Sequence, residues 1–212
     1  MRKTLAAAIV GCTIALGGSP AAAAVLCSDI TTIAGWSAAG SCQQGDKIWS
    51  FGSTSANLSP LTQVIFGGIL LTHNMQIVGF DTSDAANTWN IKYDIAVLNP
   101  VNLFISDMFA GADNPGGGSL LTKNVTGDPS GMFTLIDVGG AEGPASEKHG
   151  LNALLLHIDE TFHVDANKNL LSVSNTYLES RRNVVPTPGT LSLLGLGLVA
   201  MGAMVRRTRR ES

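Results

Sequence analysis

The feature that most constrains the fold is a series of short runs in which apolar and polar residues alternate. The clearest run is TWNIKYDIAV, residues 88–97, whose apolar side chains occupy every second position: Trp89, Ile91, Tyr93, Ile95 and Val97. A period of two is typical of a β-strand with one buried and one solvated face. Turn-forming segments such as GADNPGGGS, residues 111–119, separate this run from its neighbours. Many short strands at this spacing predict an all-β fold, an antiparallel, jelly-roll-like β-sandwich over residues 25–182.

Other segments continue the strand pattern. Residues 61–80, LTQVIFGGILLTHNMQIVGF, predict two or three strands, with Gly67-Gly68 as a bend or bulge. Further strand-like runs are DKIWSF at 46–51, VNLFISDMF at 101–109, MFTLIDV at 132–138 and LLSVSNTYL at 170–178. No stretch between them sustains the period of an amphipathic helix.

Residues 1–24 have the form of a secretory signal peptide. A positive start precedes an apolar core at residues 5–16, and alanines at 21–24 offer a small-residue cleavage site. An uncleaved membrane helix is one alternative, although the run is short and rich in small residues. Lipoprotein processing at Cys12, within IVGC, is a second alternative. The chain is therefore predicted to be exported through the inner membrane.

Two cysteines remain after that segment, Cys27 and Cys42. In an oxidising compartment they are expected to form a disulfide, which for a loop of about 15 residues contributes on the order of 3 kcal/mol. Two free buried thiols are the alternative.

The charge of the central region limits the partners of the chain. Residues 25–185 contain seven lysines and arginines against fifteen aspartates and glutamates, a net charge of −8. An acidic surface repels phosphate backbones and anionic lipids, which argues against binding to nucleic acid.

The best candidate for catalytic or metal chemistry is HGLNALLLHIDETFHVDANKN, residues 149–169, which contains His149, His157 and His163. His157 and His163 are six residues apart. Six residues span about 20 Å along a strand, whereas zinc ligands lie about 2 Å from the metal. We therefore predict no metal and no catalytic residue here, but the solvated face of a strand. On its apolar face Glu160 is an unexpected charged residue.

The end of this segment, DANKN, places Asp165, Asn167 and Asn169 at alternate positions, as at the start of a calcium-binding loop. The rest of an EF-hand is missing, because Leu170 stands in place of the glycine and Thr176 in place of the bidentate glutamate. A polar hairpin turn between two strands is the simpler interpretation, and an adventitious calcium site is the alternative.

The tryptophans Trp36, Trp49 and Trp89 suggest either a carbohydrate-stacking platform or core packing. Trp89 lies on the apolar face of its strand and Trp49 lies in another strand-like run, which favours the core. The sequence does not decide between the two for Trp36.

The chain ends in VPTPGTLSLLGLGLVAMGAMVRRTRRES. Residues 183–189 form a linker stiffened by two prolines, and residues 190–212 predict a transmembrane helix with an arginine-rich tail. The apolar run 191–205 is about 22 Å long as a helix, which is short for a hydrocarbon core of about 30 Å. Such a marginal span is typical of a segment held temporarily and then cut.

This C-terminal segment resembles the PEP-CTERM sorting domain of Gram-negative bacteria in the order, spacing and terminal position of its parts. The resemblance implies a sorting motif at Val185, Pro186, Thr187, Pro188 and Gly189, and a cytoplasmic stop at Arg206, Arg207, Arg209 and Arg210. It also implies processing by exosortase, transient membrane anchoring, and export linked to exopolysaccharide and biofilm. Thr187 stands where glutamate is usual in this family. A plain tail anchor is the alternative.

A second, weaker resemblance concerns SCQQGDKIWSF, residues 41–51. It is similar to a Cys-x-x-Gly-Asp-Lys stretch near the start of many PEP-CTERM ectodomains, and no role follows from it.

These features predict a non-enzymatic exported surface or extracellular-matrix protein without a cofactor, associated with exopolysaccharide. One alternative is a carbohydrate-binding module, which requires exposed coplanar aromatic side chains. The other is a secreted hydrolase, which requires an acid/base pair in a cleft.

Overall fold

A computed structural model describes residues 24–80, 85–98, 100, 102–114, 117–139 and 146–182. These residues form a 3₁₀ turn (Cys27–Asp29), helix α1 (Ile33–Ala39) and eleven strands. The strands are β1 (Ser41–Gln44), β2 (Lys47–Thr54), β3 (Gln63–Ile69), β4 (Thr72–Val78), β5 (Asn87–Val97), β6 (Leu103–Asp113), β7 (Ser119–Thr126), β8 (Phe133–Val138), β9 (Glu147–Ala153), β10 (Leu155–Val164) and β11 (Ser172–Arg181).

The strands form two antiparallel sheets. Sheet A has the order β1-β2-β5-β10-β7-β8, and sheet B has the order β3-β4-β11-β6-β9. From β4 onward the chain passes from one sheet to the other at every connection except the β7–β8 hairpin. Strands that are neighbours in a sheet are therefore mostly distant in the sequence, and the all-β, two-sheet prediction is confirmed.

The core lies between the two sheets. The hydroxyls of Tyr93 on β5 and Tyr177 on β11 are 2.8 Å apart, which joins the inner faces. Trp36, Trp49 and Trp89 are all at most 1% exposed, so the expectation that Trp49 and Trp89 pack in the core is confirmed. Trp36, which the sequence left undecided, contacts the rings of Phe51 and Phe66 edge-on.

The short helix α1 was not predicted. The Thr32 side chain accepts a hydrogen bond from the Gly35 N–H at its start, and Gly40, at φ 70°, ends it. Seven residues make two turns, which is too short for a helical period to be distinguished from a strand pattern. Thr32 and Gly40, the two capping residues, are the local signal that the sequence offers for this helix.

The predicted disulfide is confirmed. Cys27 in the 3₁₀ turn is bonded to Cys42 in β1, with their Cα atoms 4.9 Å apart. The bond attaches the first described residues to the edge of sheet A, because β1 is its outermost strand.

The prediction of a bend or bulge at Gly67-Gly68 is wrong. Both glycines lie within β3, which pairs with β4 in unbroken register, and the chain reverses at Leu70-Leu71. Gly68 has φ 152°, and the carbonyl oxygen of Thr72 occupies the space that its side chain would need. Glycine is present because two backbones approach closely, not because the strand bends.

The hairpin predicted at DANKN is also corrected. Strand β10 lies in sheet A and β11 in sheet B, so the turn between them carries the chain across the sandwich. Asn167, at φ 58°, supplies the left-handed residue of this turn. The sequence indicates that the chain turns here, but it does not show which sheet receives the next strand.

Both predicted terminal segments fall largely outside the described residues. These are residues 1–23 of the signal peptide, the linker at 183–189 with Val185, Pro186, Thr187, Pro188 and Gly189, and the helix at 190–212 with its four arginines. Among the residues with described structure, no helix has the length and apolarity needed to cross a membrane.

Candidate functional site

The first candidate site is a groove on the solvated face of sheet A, here called the outer groove. It has a volume of about 390 Å³, and its lining includes Lys92 and Asp94 of β5, His157 and Asp159 of β10, and the exposed Met132. These side chains meet because β5 and β10 are antiparallel neighbours, in which His157 pairs with Asp94 and Asp159 with Lys92.

Ion pairs hold the polar groups of the outer groove. The Lys92 Nζ lies 2.6 Å from Asp159 Oδ2, and the His157 Nδ1 lies 2.8 Å from Asp94 Oδ1. Partial burial raises the pKa of Asp159, but hydrogen bonds from Lys92 and Asn90 outweigh it and hold the pKa below its usual value. The groove therefore offers a carboxylate, an ammonium and an imidazole that can form hydrogen bonds with a polar ligand.

The three candidate histidines do not share a site. His157 lies in the outer groove, His163 contacts Thr88 and Asp165 further along β10, and His149 lies on β9 of sheet B. His149 is hydrogen-bonded to Asp107 and Glu147, which raises its pKa. Each imidazole thus has its own local partner, as expected for solvated strand faces.

A second cluster, here called the edge cluster, was missed by sequence reasoning. It joins Asp46 and Lys47 at the start of β2 to His73 on β4 and Glu179 on β11, linking sheet A to sheet B. Lys47 is fully buried, 2.9 Å from Asp46, and forms an ion pair with Glu179. Burial and the Lys47 charge lower the pKa of His73 despite its two acidic neighbours.

The edge cluster also meets the geometric requirements of a metal site. One ligand atom from each of Asp46, His73 and Glu179 lies within 4.8 Å of the others. The Lys47 ammonium, however, already contacts both carboxylates and supplies the positive charge that they need. The cluster is therefore a charge-compensated link between the sheets. Asp46 and Lys47 belong to the GDK of SCQQGDKIWSF, while His73 and Glu179 are 106 positions apart.

A third cluster, here called the inner cluster, lies in the middle of the sandwich. Glu160 on β10 pairs directly across the sheet with Lys123 on β7, and it faces Asn175 on β11 of sheet B. Tyr93 and Tyr177 complete the set, and the Tyr93 hydroxyl donates to Glu160 Oε2 at 3.2 Å. All five side chains are at most 1% exposed.

Burial controls the charges of the inner cluster. It lowers the pKa of Lys123 to about 8, against the attraction of Glu160, and raises the pKa of Glu160 despite its cationic and hydrogen-bonding neighbours. The pKa values of both tyrosines are raised well above their usual values, chiefly by burial. Three atoms find no hydrogen-bond partner within the described part of the chain: Lys123 Nζ, Glu160 Oε1 and Asn175 Oδ1.

The sequence contained part of the signal for this cluster. Glu160 was recognised as a charged residue on an apolar face, and it does lie on the inner face of β10. Lys123 was missed because SLLTKNVT was not recognised as a strand. In that segment Leu121 and Val125 flank Lys123 at a period of two, so the alternation itself places the lysine inside.

The aromatic side chains provide no stacking platform. All three tryptophans, both tyrosines and all seven phenylalanines lie within the described ranges, and none is exposed. The described surface therefore lacks the coplanar exposed rings expected of a carbohydrate-binding module that works by stacking.

Comparison with known proteins identifies no family. No family model matches the sequence, and no curated protein matches it. Among solved structures, the chain is similar to TmCBM61 in complex with beta-1,4-galactotriose, with 9% identity over 63% of this chain and 88% of that chain. The TM-score is 0.35, which is too low to assign a shared fold or a function.

Proposed function

We propose that this chain is a non-enzymatic, exported surface or extracellular-matrix protein, sorted by exosortase through residues 185–189 and associated with exopolysaccharide. One observation carries the non-enzymatic part of the proposal. The edge and inner clusters connect the two sheets, and Lys47, Lys123, Glu160 and Glu179 within them are at most 6% exposed, so their charges serve the fold.

Two further features support this function. The Cys27–Cys42 disulfide suits an oxidising, extracytoplasmic compartment. Strands β4 to β11 follow the orders β4-β11-β6-β9 and β5-β10-β7-β8, which is the strand order of a jelly roll. Jelly rolls recur in viral capsid and lectin domains, which are assembly and binding modules.

Fractionation of the source cells tests the proposal. We expect the protein expressed from the complete gene to be recovered, after processing, in the extracellular matrix fraction, co-purifying with exopolysaccharide. A matched variant truncated after Arg182 retains every described residue but lacks the sorting segment, and it should be lost to the medium without matrix association. Recovery of the wild-type protein in the cytoplasm, or equal matrix association of both forms, would refute the proposal.

A carbohydrate-binding function is the second candidate, and the outer groove favours it because its hydrogen-bonding groups line an open surface. Asp94→Ala should then weaken binding to the exopolysaccharide, measured by calorimetry. Asp107→Ala is the matched control, since Asp94 and Asp107 each lie 2.8 Å from an exposed histidine, on different sheets. Equal binding by both variants would exclude the groove, and release of reducing ends would favour a hydrolase.

A further inference from the structure

The inner cluster brings an amine, a carboxamide and a carboxylate together in the core. The Lys123 Nζ lies 3.7 Å from Glu160 Oε1, and the Asn175 Nδ2 lies 3.1 Å from Glu160 Oε2. The two oxygens of one carboxylate therefore contact the nitrogens of two different side chains. Lys123 and Asn175 belong to opposite sheets, so these contacts cross the sandwich.

We propose that Lys123 and Asn175 are joined by an intramolecular amide bond, formed by the protein itself with Glu160 as the catalytic residue that carries the proton. The bond would connect β7 of sheet A to β11 of sheet B. This modification goes beyond the proposed export function and does not depend on it.

The buried polar atoms of the inner cluster favour this reaction. Lys123 Nζ and Asn175 Oδ1 are both enclosed and have no hydrogen-bond partner within the described residues. A buried ammonium without full compensation is costly, whereas an amide group buries no charge. Bond formation would thus remove one charged group from a site that is 0% exposed at all three residues.

The protonation states are also suitable. An amine attacks a carbonyl only as the neutral species, and burial lowers the pKa of Lys123 to about 8. Burial raises the pKa of Glu160, so the carboxyl group can hold the proton that the ammonium gives up. Transfer of that proton within the pair leaves a neutral amine beside a neutral acid, without bringing in water.

The reaction is balanced without a further reactant. The lone pair of Lys123 Nζ attacks Asn175 Cγ, and a new C–N bond forms. From the neutral pair, Glu160 gives its proton to Nδ2 through Oε2, the oxygen in contact with that nitrogen, and takes the second proton lost by Nζ through Oε1. The Cγ–Nδ2 bond then breaks and ammonia leaves. No group is oxidised or reduced, and Glu160 is again the neutral acid from which the attack began.

The tyrosines shield and orient the site. Tyr93 donates to Glu160 Oε2, and its hydroxyl is 2.8 Å from that of Tyr177. The Tyr177 ring centre is 6.0 Å from Lys123 Nζ. These rings fill the space around the carboxylate, which excludes the water that would otherwise hydrolyse the activated amide.

Peptide mass analysis of the denatured, trypsin-digested full chain provides the test. An unmodified chain releases the peptides 93–123, 124–148 and 169–181. In the cross-linked chain trypsin cannot cleave after Lys123, so we expect 93–148 joined to 169–181, lighter than the sum of the two by one ammonia. Lys47 is an internal control, since this equally buried lysine pairs with carboxylates and should be cleaved normally.

A Glu160→Gln variant tests the mechanism. It has nearly the same shape but cannot carry the proton, so the cross-linked peptide should fall below a tenth of its wild-type yield, with folding checked by circular dichroism. Persistence of the cross-link in this variant would overturn the role of Glu160. If the variant does not fold, the wild-type digest decides alone. Separate peptides 93–123 and 169–181 in full yield from the folded wild-type protein would overturn the proposal.

Discussion

At the scale of single residues, the two buried lysines show how their neighbours determine their chemistry. Lys47 contacts two carboxylates, Asp46 and Glu179, and remains a charged link between the sheets. Within the described residues, Lys123 has a single neighbouring carboxylate, that of Glu160, whose Oε1 lies 3.7 Å from its Nζ. Burial lowers the pKa of Lys123 to about 8. Lys123 therefore has access to a neutral, nucleophilic state near physiological pH.

His73 is expected to make the stability of the sandwich depend on pH. Burial and Lys47 lower its pKa in the folded chain, while Asp46 and Glu179 oppose this only partly. Below its ordinary pKa the unfolded chain then binds more protons than the folded chain, so the free energy of unfolding falls as the pH drops through about 6.5. Urea unfolding at about pH 8 and about pH 5 measures this loss.

A matched pair of variants isolates the contribution of His73. His73→Gln keeps a polar side chain but removes the titration, so it should lose less stability between the two pH values than the wild type. His157→Gln, which removes a half-exposed imidazole on the groove face, is the matched control for the loss of a histidine side chain. An unchanged pH dependence in His73→Gln would show that other groups cause it.

At the scale of elements, the sequence predicted strands well where apolar residues alternate without interruption. In β5 and β10 every second residue is buried, in the expected phase. Strand β9, EKHGLNA, has few apolar residues and was missed, as was the lysine-containing β7. The partners of each strand were not predictable, because long-range pairing is specified by the connections between sheets rather than by local periodicity. For the same reason the edge and inner clusters could not be assembled from sequence.

Two glycines, Gly68 in β3 and Gly79 directly after β4, allow the cost in stability of a close backbone contact to be measured separately from the cost of a positive φ. Gly68→Ala and Gly79→Ala both place a side chain at positive φ, which costs about 1 kcal/mol. A Cβ at Gly79 meets no atom within 4 Å, whereas one at Gly68 meets the Thr72 carbonyl. Gly68→Ala should therefore reduce the free energy of unfolding by clearly more than Gly79→Ala, as measured by urea unfolding. Equal losses would mean that β3 moves away from β4 at little cost.

At the scale of the whole molecule, β11 connects the two sheets through a row of polar side chains. Asn175, Tyr177 and Glu179 alternate along its inner face and contact Glu160, Tyr93 and Lys47 of sheet A, respectively. Strand β11 is also the last described strand, and it lies between β4 and β6 within sheet B. The strand nearest to the predicted sorting segment is thus paired on both sides within its sheet and also joined to sheet A.

This arrangement suits a domain that is processed by a protease near its C-terminal end. Two residues lie between the last described residue, Arg182, and the start of the predicted sorting motif at Val185. The Arg182 N–H donates to the Asn102 carbonyl at 2.8 Å, and its guanidinium donates to Asn152. A protease acting on residues 185–189 would therefore meet a folded domain close to the cleavage segment, with the last residue of that domain held in place.

We predict that residues beyond about Pro188 are absent from the mature exported protein. The apolar run at 191–205 is short for a permanent span, and the arginines that follow should halt the chain with its sandwich outside the membrane. Replacing Arg206, Arg207, Arg209 and Arg210 with alanine should impair retention and processing. Thr187→Glu introduces the residue that is usual at this position of the PEP-CTERM motif that the segment resembles, and this variant should be processed at least as well as the wild type. The intact mass of protein recovered outside the cell decides between cleavage and a permanent anchor. An extracellular species that still carries the four arginines would refute sorting by cleavage.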